Sequence, residues 1–210
     1  IDRTGVCAGA SAGNAGALAF TDILPLASPR IIRQAPKWLL DPLGPLSVPP
    51  RHALKIAPWM LRFWRASWPA RVRASTVAQT GLMALSKAAM EPFMAAHGLV
   101  PMLRKDGQLQ VYEGKAEFEA ALPGWAIREA AGIEVQHLTG DAIAERQPGL
   151  APHFTHATFT PGWWSVSDPK DYTEALADRF RALGGEIVIA DATRLLPDGV
   201  ETSAGVMKGR

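Results

Sequence analysis

The chain has one cysteine, Cys7, in 210 residues, so it can form neither an internal disulfide nor a multi-cysteine metal cluster. A lone thiol fits a reducing compartment and reads as inert. No charge of one sign dominates either. The 22 basic and 20 acidic residues give a formal net charge of +2, too even for the electrostatic footprint of a nucleic-acid binder. No run reaches the roughly 18 uncharged apolar residues of a membrane-spanning helix, because the best stretch, residues 81–96, carries Lys87 and Glu91. Among the five histidines only His153 and His156 are close in sequence, with no third ligand at useful spacing, so no metal site is expected. An initiating Met is also lacking. The chain opens Ile1-Asp2-Arg3 and is read as a fragment of a longer polypeptide.

What is present is ample apolar content, 48% of residues, enough for a packed core. Proline is dense over residues 22–75, and Pro42, Pro45, Pro49 and Pro50 predict a connector between short helices. From Pro58 the spacing of Leu61, Trp64 and Trp68 predicts a helix with one apolar stripe, ended by Pro69. A second helix presents Leu82, Leu85, Ala89 and Phe93, with a kink or break at Pro92 and a stop at Gly98. Residues 99–105 and 108–112 flank Asp106-Gly107, which predicts a hairpin closed by a type I′ turn. Beyond it the pattern predicts a helix over 115–131, a strand over 133–138, a short helix over 141–146 and extended chain over 158–166. Asp168-Pro169 is the clearest helix start, with a cap followed by a first-turn proline. Tyr172, Leu176, Phe180 and Leu183 form the buried stripe expected of that helix. Gly184-Gly185 should end it, and a strand over 186–190 should follow, which is the helix-to-strand step of an α/β layer. A last hairpin is expected across Asp198-Gly199, joining 192–196 to 200–204.

Chemistry concentrates near the start. Ser11-Ala12-Gly13-Asn14-Ala15-Gly16 is a loop of small and amide residues, in which glycines let a bulky anionic ligand approach and successive amides can face phosphate oxygens. In a dinucleotide-binding βαβ unit the second strand ends in an acid that binds the adenosine ribose, and Asp2 has that character. Read separately, the loop is also an ordinary Gly-rich turn and Asp2 a solvated strand end.

Taken in order, these elements resemble the FAD-dependent D-amino acid dehydrogenase and glycine oxidase (DAO) family of amine-oxidising flavoproteins. The motifs that carry the resemblance are Asp2, the Ser11, Asn14, Ala15 and Gly16 loop, Leu26-Ala27-Ser28-Pro29, Gly107-Gln108-Leu109, the run from Glu145 to Leu150, and Asp168-Pro169 before Gly184-Gly185. The resemblance implies an α/β chain: a partial Rossmann-like FAD-binding domain of glutathione-reductase type, with an inserted α+β substrate domain of mixed sheet and helices. Residues 1–25 and 165–210 would be parts of the FAD-binding domain, and 26–164 the substrate domain with a helical insertion. The N-terminal Gly-x-Gly-x-x-Gly strand-turn-helix would lie upstream, and the C-terminal part downstream. Asp2 would bind the ribose, Arg3 would add backbone contacts nearby, and Ser11, Gly13, Asn14, Ala15 and Gly16 would line the pyrophosphate and flavin side. Ala192, or Thr193, would offer its backbone to the adenine.

The implied reaction takes hydride from the α-carbon of a D-amino acid or related amine to flavin, giving a keto acid and ammonia after hydrolysis. The implied electron acceptor is a membrane quinone. The substrate carboxylate would be held by an Arg or Tyr mostly beyond residue 210, so no catalytic residue is nominated and the fragment is expected to be inactive alone. Two alternatives stay open. One is an oxygen-using oxidase of the glycine or sarcosine type. The other is a non-catalytic module that binds a membrane surface through the aromatic and basic stretch 51–73, with Trp59, Phe63, Trp64 and Trp68 among Arg51, Lys55, Arg62, Arg65, Arg71 and Arg73. The same stretch can equally pack its tryptophans and solvate its arginines. Tyr112 and Tyr172 read as core residues, and Trp163-Trp164 as packing or as a pocket wall. The chain is expected in the cytoplasm, or peripherally on the inner face of the cytoplasmic membrane.

Overall fold

A computed structural model of the chain describes residues 1–41 and 48–209, with only the backbone described for Arg30, Arg33, Pro36, Leu40 and Pro50. Pro42 and Pro45 of the expected connector lie outside the described residues. The element order is β1 (Ala17–Leu18), α1 (Pro29–Leu40), α2 (Pro50–Ala66), α3 (Pro69–Ala96), β2 (Leu103–Arg104), β3 (Gln108–Tyr112), α4 (Lys115–Ala130), β4 (Gln136–Thr139), α5 (Asp141–Arg146), β5 (His156–Thr160), β6 (Trp164–Val166), α6 (Pro169–Ala182), β7 (Ala192–Leu196), β8 (Gly199–Thr202) and β9 (Gly205–Lys208). Short 3-10 turns occupy Ala10–Gly13 and Val100–Met102. The chain divides into two compact units, one of Ile1–Ala19, Ala89–Gln108 and Pro161–Arg210, the other of Phe20–Ala88 and Leu109–Thr160.

The first unit is built on β6. This strand pairs antiparallel with β1 through Ala17↔Ser165 and Leu18↔Trp164, and with β2 through Leu103↔Val166 and Arg104↔Ser165. Trp164 and Val166 are buried by this double pairing. Two residues later Asp168 caps α6, its carboxylate accepting from the Lys170 amide at 2.7 Å and the Asp171 amide at 3.0 Å. Pro169 takes the first helical position, where a missing N–H costs nothing. The helix packs against the Ala10–Gly13 turn. As expected, α3 stops at Gly98, which adopts φ +69, with the Leu99 amide donating back to the Met94 carbonyl. The last hairpin also forms, with its turn one residue earlier than expected and its second strand ending at Thr202 rather than 204. Leu196 faces Gly199 across the Pro197-Asp198 turn, and β9 extends β7 and β8 to a three-stranded meander.

In the second unit, β5 runs between β3 and β4 and buries Ala157, Thr158, Phe159 and Thr160. Its register with β4 runs from Gln136↔Phe159 to Thr139↔His156. Tyr112 closes the core from β3, and its hydroxyl accepts a hydrogen bond from Trp125 Nε1 of α4 at 2.6 Å. Arg128, one turn further along α4, is fixed by its donations to the carbonyls of Thr21 and Gly124 and to Asp22 Oδ1.

Four expectations are corrected. The hairpin across Asp106-Gly107 does not form, because β2 pairs with β6 and β3 lies in the sheet with β5. Longer-range partners with buried side chains outcompete the local turn signal. Residues 186–190 form no full strand. Only Ile189 bridges, in parallel, to Asp2, since no longer neighbour among the described residues lies alongside. The α6 stripe is buried only in part. Tyr172 and Leu176 are half-buried, whereas Phe180 and Leu183 are exposed. Finally, α2 begins at Pro50, with Pro58 inside it, and of the kink or break expected at Pro92 the break does not occur, since α3 runs on to Ala96. The stripe residues Leu61, Trp64, Trp68, Leu82, Leu85 and Phe93 are all exposed. The half-buried side of α2 is instead Ile56, Met60 and Phe63.

Replacing Asp168 by Ala removes acceptors for two first-turn amides. The expected loss is about 1 kcal/mol of stability, read as a lower urea midpoint at unchanged slope.

Candidate functional site

Asp2 sits where two parallel segments meet. Its amide donates to the Val188 carbonyl at 3.0 Å and its carbonyl accepts from the Ala190 amide at 2.9 Å. Its side chain then turns onto the following backbone, with Oδ1 accepting from the Thr4 amide at 2.9 Å and the Gly5 amide at 2.8 Å. These two bonds, the Gly5 one foremost, hold the Asp2 carboxyl below its ordinary 3.8. The group is an exposed carboxylate at neutral pH. Among the described residues no hydrogen bond engages its Oδ2, which leaves acceptor capacity facing outward. Thr4 and Gly5 were not singled out in the sequence. The signal was there in Asp2-Arg3-Thr4-Gly5, an Asp followed by a residue able to take positive φ, and Gly5 does so at +119.

The 11–16 loop divides by role. Ser11 and Gly13 fall in the Ala10–Gly13 turn, while Asn14 and Ala15 are exposed after it. Asn14 Oδ1 accepts from the Gly16 amide at 2.6 Å, so this side chain shapes the loop and keeps only its NH2 for other contacts. Gly16 is buried at φ +65, and a Cβ there would lie 2.9 Å from the Val166 carbonyl oxygen. Its own carbonyl accepts from the Val166 amide at 2.8 Å. Gly13 differs: a Cβ built on it would meet nothing within 4 Å. The outer part of the loop is therefore open, and the inner end is clamped to β6.

Around residue 190 the structure brings Arg3 and Asp191 together, Nε to Oδ1 at 2.8 Å, both largely exposed. Such a pair contributes little to stability. Ala192 is exposed and opens β7 opposite Thr202. The register slips between Ala192 and Arg194, so Thr193 is the bulged residue, and its Oγ1 donates to the Glu201 carbonyl. Asp2, Arg3 and the start of β7 thus lie close, and the 11–16 loop belongs to the same compact unit. Among the described residues no hydrogen bond links Asp2 to that loop.

The aromatic candidates are packed. Tyr112 is 2% exposed. Tyr172 is half-buried with its hydroxyl 4.0 Å from Met90 Sδ, and burial pushes its phenol above the ordinary 10.0. Trp164 is buried in β6 beneath Lys105, which lies 4.5 Å from its ring centroid. His156 stacks on Phe118, and His153 meets the Phe154 ring at a tilt of 45°. The second unit holds a separate cleft of about 600 Å³ lined by Leu24, Pro29, Gln110, Trp125, Ile127 and Arg128, among others.

The family model described as FAD dependent oxidoreductase (DAO) matches residues 1–209. The chain belongs to this family. Within the FAD-dependent oxidoreductases it is 29% identical to a D-amino-acid oxidase of Bradyrhizobium diazoefficiens, over 90% of this chain and 45% of that protein. It is 32% identical to D-amino acid dehydrogenase 2 of Ralstonia nicotianae, over 68% of this chain and 34% of the relative. The chain thus spans less than half the length of these curated relatives. In three dimensions it is similar to glycine oxidase from Bacillus cereus, with a TM-score of 0.54 and 22% identity over 61% of this chain and 38% of that one. That likeness concerns the fold. The expected mixed α/β architecture and FAD dependence stand on these matches.

The Asp2 geometry sets a pH response. A carboxyl held below 3.8 in the folded chain contributes stability that is present above that value and lost as pH falls through the lowered one. NMR titration of the Thr4 and Gly5 amides should therefore show a midpoint below 3.8, and both shifts should stop responding to acid in Asp2→Asn.

Proposed function

We propose that Asp2, Arg3, Ser11, Gly13, Asn14, Ala15, Gly16 and Ala192 form the chain's part of the FAD site. The protein then oxidises the CH–NH2 group of a D-amino acid or related amine. The observation that carries this reading is the ionised, outward-facing Asp2 carboxylate at the end of a parallel bridge. Ligands of open α/β sheets bind beyond the carboxyl ends of parallel strands, and an acid there accepts ribose hydroxyls. The donor set fits the group. Asp2 Oδ2 can take hydroxyl hydrogens, the open side of Gly13 leaves room for a diphosphate, and the exposed Asn14 NH2 is a donor. Bound FAD supplies the two-electron acceptor for breaking a C–H bond next to nitrogen.

The chain's own residues bind and orient. Asp2 anchors the adenosine end, the Asn14 turn presents backbone amides, and Gly16 keeps the loop against β6. The bulge at Thr193 leaves backbone groups beside Ala192 for the adenine. Residues 1–25 and 165–210 are assigned to a Rossmann-like FAD domain, and 26–164 to an inserted substrate domain. The overall reaction combines the amino acid, water and oxidised acceptor to give keto acid, ammonia and reduced acceptor. Electrons pass on to a membrane quinone-type acceptor, with the protein in the cytoplasm and peripheral on the inner membrane face. Among the described residues no helix is long and apolar enough to cross a membrane.

Anaerobic mixing of the full-length, flavin-loaded protein with D-alanine and with L-alanine tests the substrate class. The D-isomer should bleach the oxidised-flavin absorbance and the L-isomer should not; bleaching by neither would sink the D-amino acid reading. The Bradyrhizobium relative is named an oxidase, which supports oxygen as a rival acceptor. Reoxidation faster with oxygen than with a soluble quinone would decide for that rival. Asp2→Ala should weaken FAD binding about tenfold or more, as expected for loss of a hydrogen bond to a charged group.

A further inference from the structure

Between Asp41 and Glu91 the sequence has no acidic residue and seven basic ones: Arg51, Lys55, Arg62, Arg65, Arg71, Arg73 and Lys87. Four of these, Arg51, Lys55, Arg62 and Arg65, recur at helical spacing on α2 and share one exposed strip. Among the described residues none of the four forms an ion pair with a carboxylate. Flanking the strip on one side are Leu54, 89% exposed, Leu61 at 56% and Trp64 at 46%. On its other side lies Trp59, 53% exposed and stacked on Phe63 at 5.2 Å. Trp64 meets Trp68 edge-on at 5.3 Å where the helix ends. Ile56, Met60 and Phe63 make up the remaining, half-buried face. The helix therefore has three faces: one toward the protein, one apolar and exposed, and one cationic.

We infer that α2 docks the protein on an anionic bilayer surface, with Leu54, Leu61 and Trp64 entering the headgroup boundary and Arg51, Lys55, Arg62 and Arg65 meeting lipid phosphates. This deepens the membrane-acceptor part of the proposed function and rests on it for the partner's setting. Charge complementarity selects the occupant. A purely apolar protein surface would bury four uncompensated cations, at high desolvation cost, whereas an anionic leaflet neutralises them while its acyl boundary takes the aromatic rings. The exposed Val77, Leu82 and Leu85 of α3 have no matching cationic strip and carry no such argument.

The test is co-sedimentation of the flavin-loaded protein with vesicles of phosphatidylcholine alone or mixed with phosphatidylglycerol. Binding should require phosphatidylglycerol and should fall as salt is raised. Arg62→Glu with Arg65→Glu should weaken binding at least about tenfold, and Leu61→Ala with Trp64→Ala should also weaken it. Lys115→Glu with Lys170→Glu, a control of equal charge change elsewhere, should leave binding within about twofold. Circular dichroism and flavin content verify that each variant is folded. Equal binding to both vesicle types, no binding by the wild type, or wild-type binding by the Arg62/Arg65 variant would overturn the inference. So would an α2-dependent dimer that excludes vesicles. Vesicle binding alongside fast oxygen reoxidation would remove the quinone reading alone, and quinone reoxidation without vesicle binding would remove this inference alone.

Discussion

The backbone of Gly16 touches the backbone of Val166, and the first unit is organised around that approach. The Gly16 carbonyl accepts from the Val166 amide, and a side chain at 16 would collide with the Val166 carbonyl. Three consequences follow along the chain. Next to this contact Ala17 and Leu18 pair with Ser165 and Trp164. Leu103 reaches Val166 from the other side. Asp168 then starts α6, which packs on the Ala10–Gly13 turn just before the clamp. A loop of small residues is thereby given one fixed end and one open end. That is the condition for backbone amides to be presented without the whole segment collapsing onto the protein.

The electrostatics of the site follow from the same economy. Asp2 spends one carboxylate oxygen on Thr4 and Gly5 and one pair of backbone groups on Val188 and Ala190. What remains is an acceptor held in its charged form chiefly by hydrogen bonds from the Gly5 and Thr4 amides. Arg3, the nearest basic residue in sequence, is turned to Asp191. A carboxylate stabilised by amides keeps its charge available to a hydroxyl ligand, whereas one locked in a salt bridge would have to exchange partners. Membership of the FAD-dependent oxidoreductase family accords with this arrangement.

Much of this was legible in the residues where a local cause was sufficient. Asp168-Pro169 predicted its helix start because a cap and a first-turn proline act within four residues. The 141–146 helix and the hairpin into Gly199 were legible for the same reason, as was the stop at Gly98. Legibility failed where partners are distant. Asp106-Gly107 carries a strong turn signal, yet β2 and β3 are drawn into different sheets by β6 and β5. The strand expected over 186–190 shrank to one bridge because strand length depends on the neighbour beside it. The apolar stripes of α2 and α3 were recognised as stripes, but periodicity does not say what covers them, and here Leu61, Trp64, Leu82 and Leu85 face outward. At the site, residue types pointed to Asp2 and to the 11–16 loop. The division of labour between Asn14, which shapes the loop, and Gly16, which clamps it, emerged only from the contacts.

Contact of FAD with both the Asp2 turn and the 11–16 loop can be read from backbone amide shifts compared between the flavin-free and FAD-loaded full-length protein. The largest changes should fall at Asp2, Thr4 and Gly5, across residues 11–16, and at Ala192 and Thr193. Unchanged amides at all of these, with the perturbation centred instead on the Trp125 and Arg128 cleft, would contradict that contact.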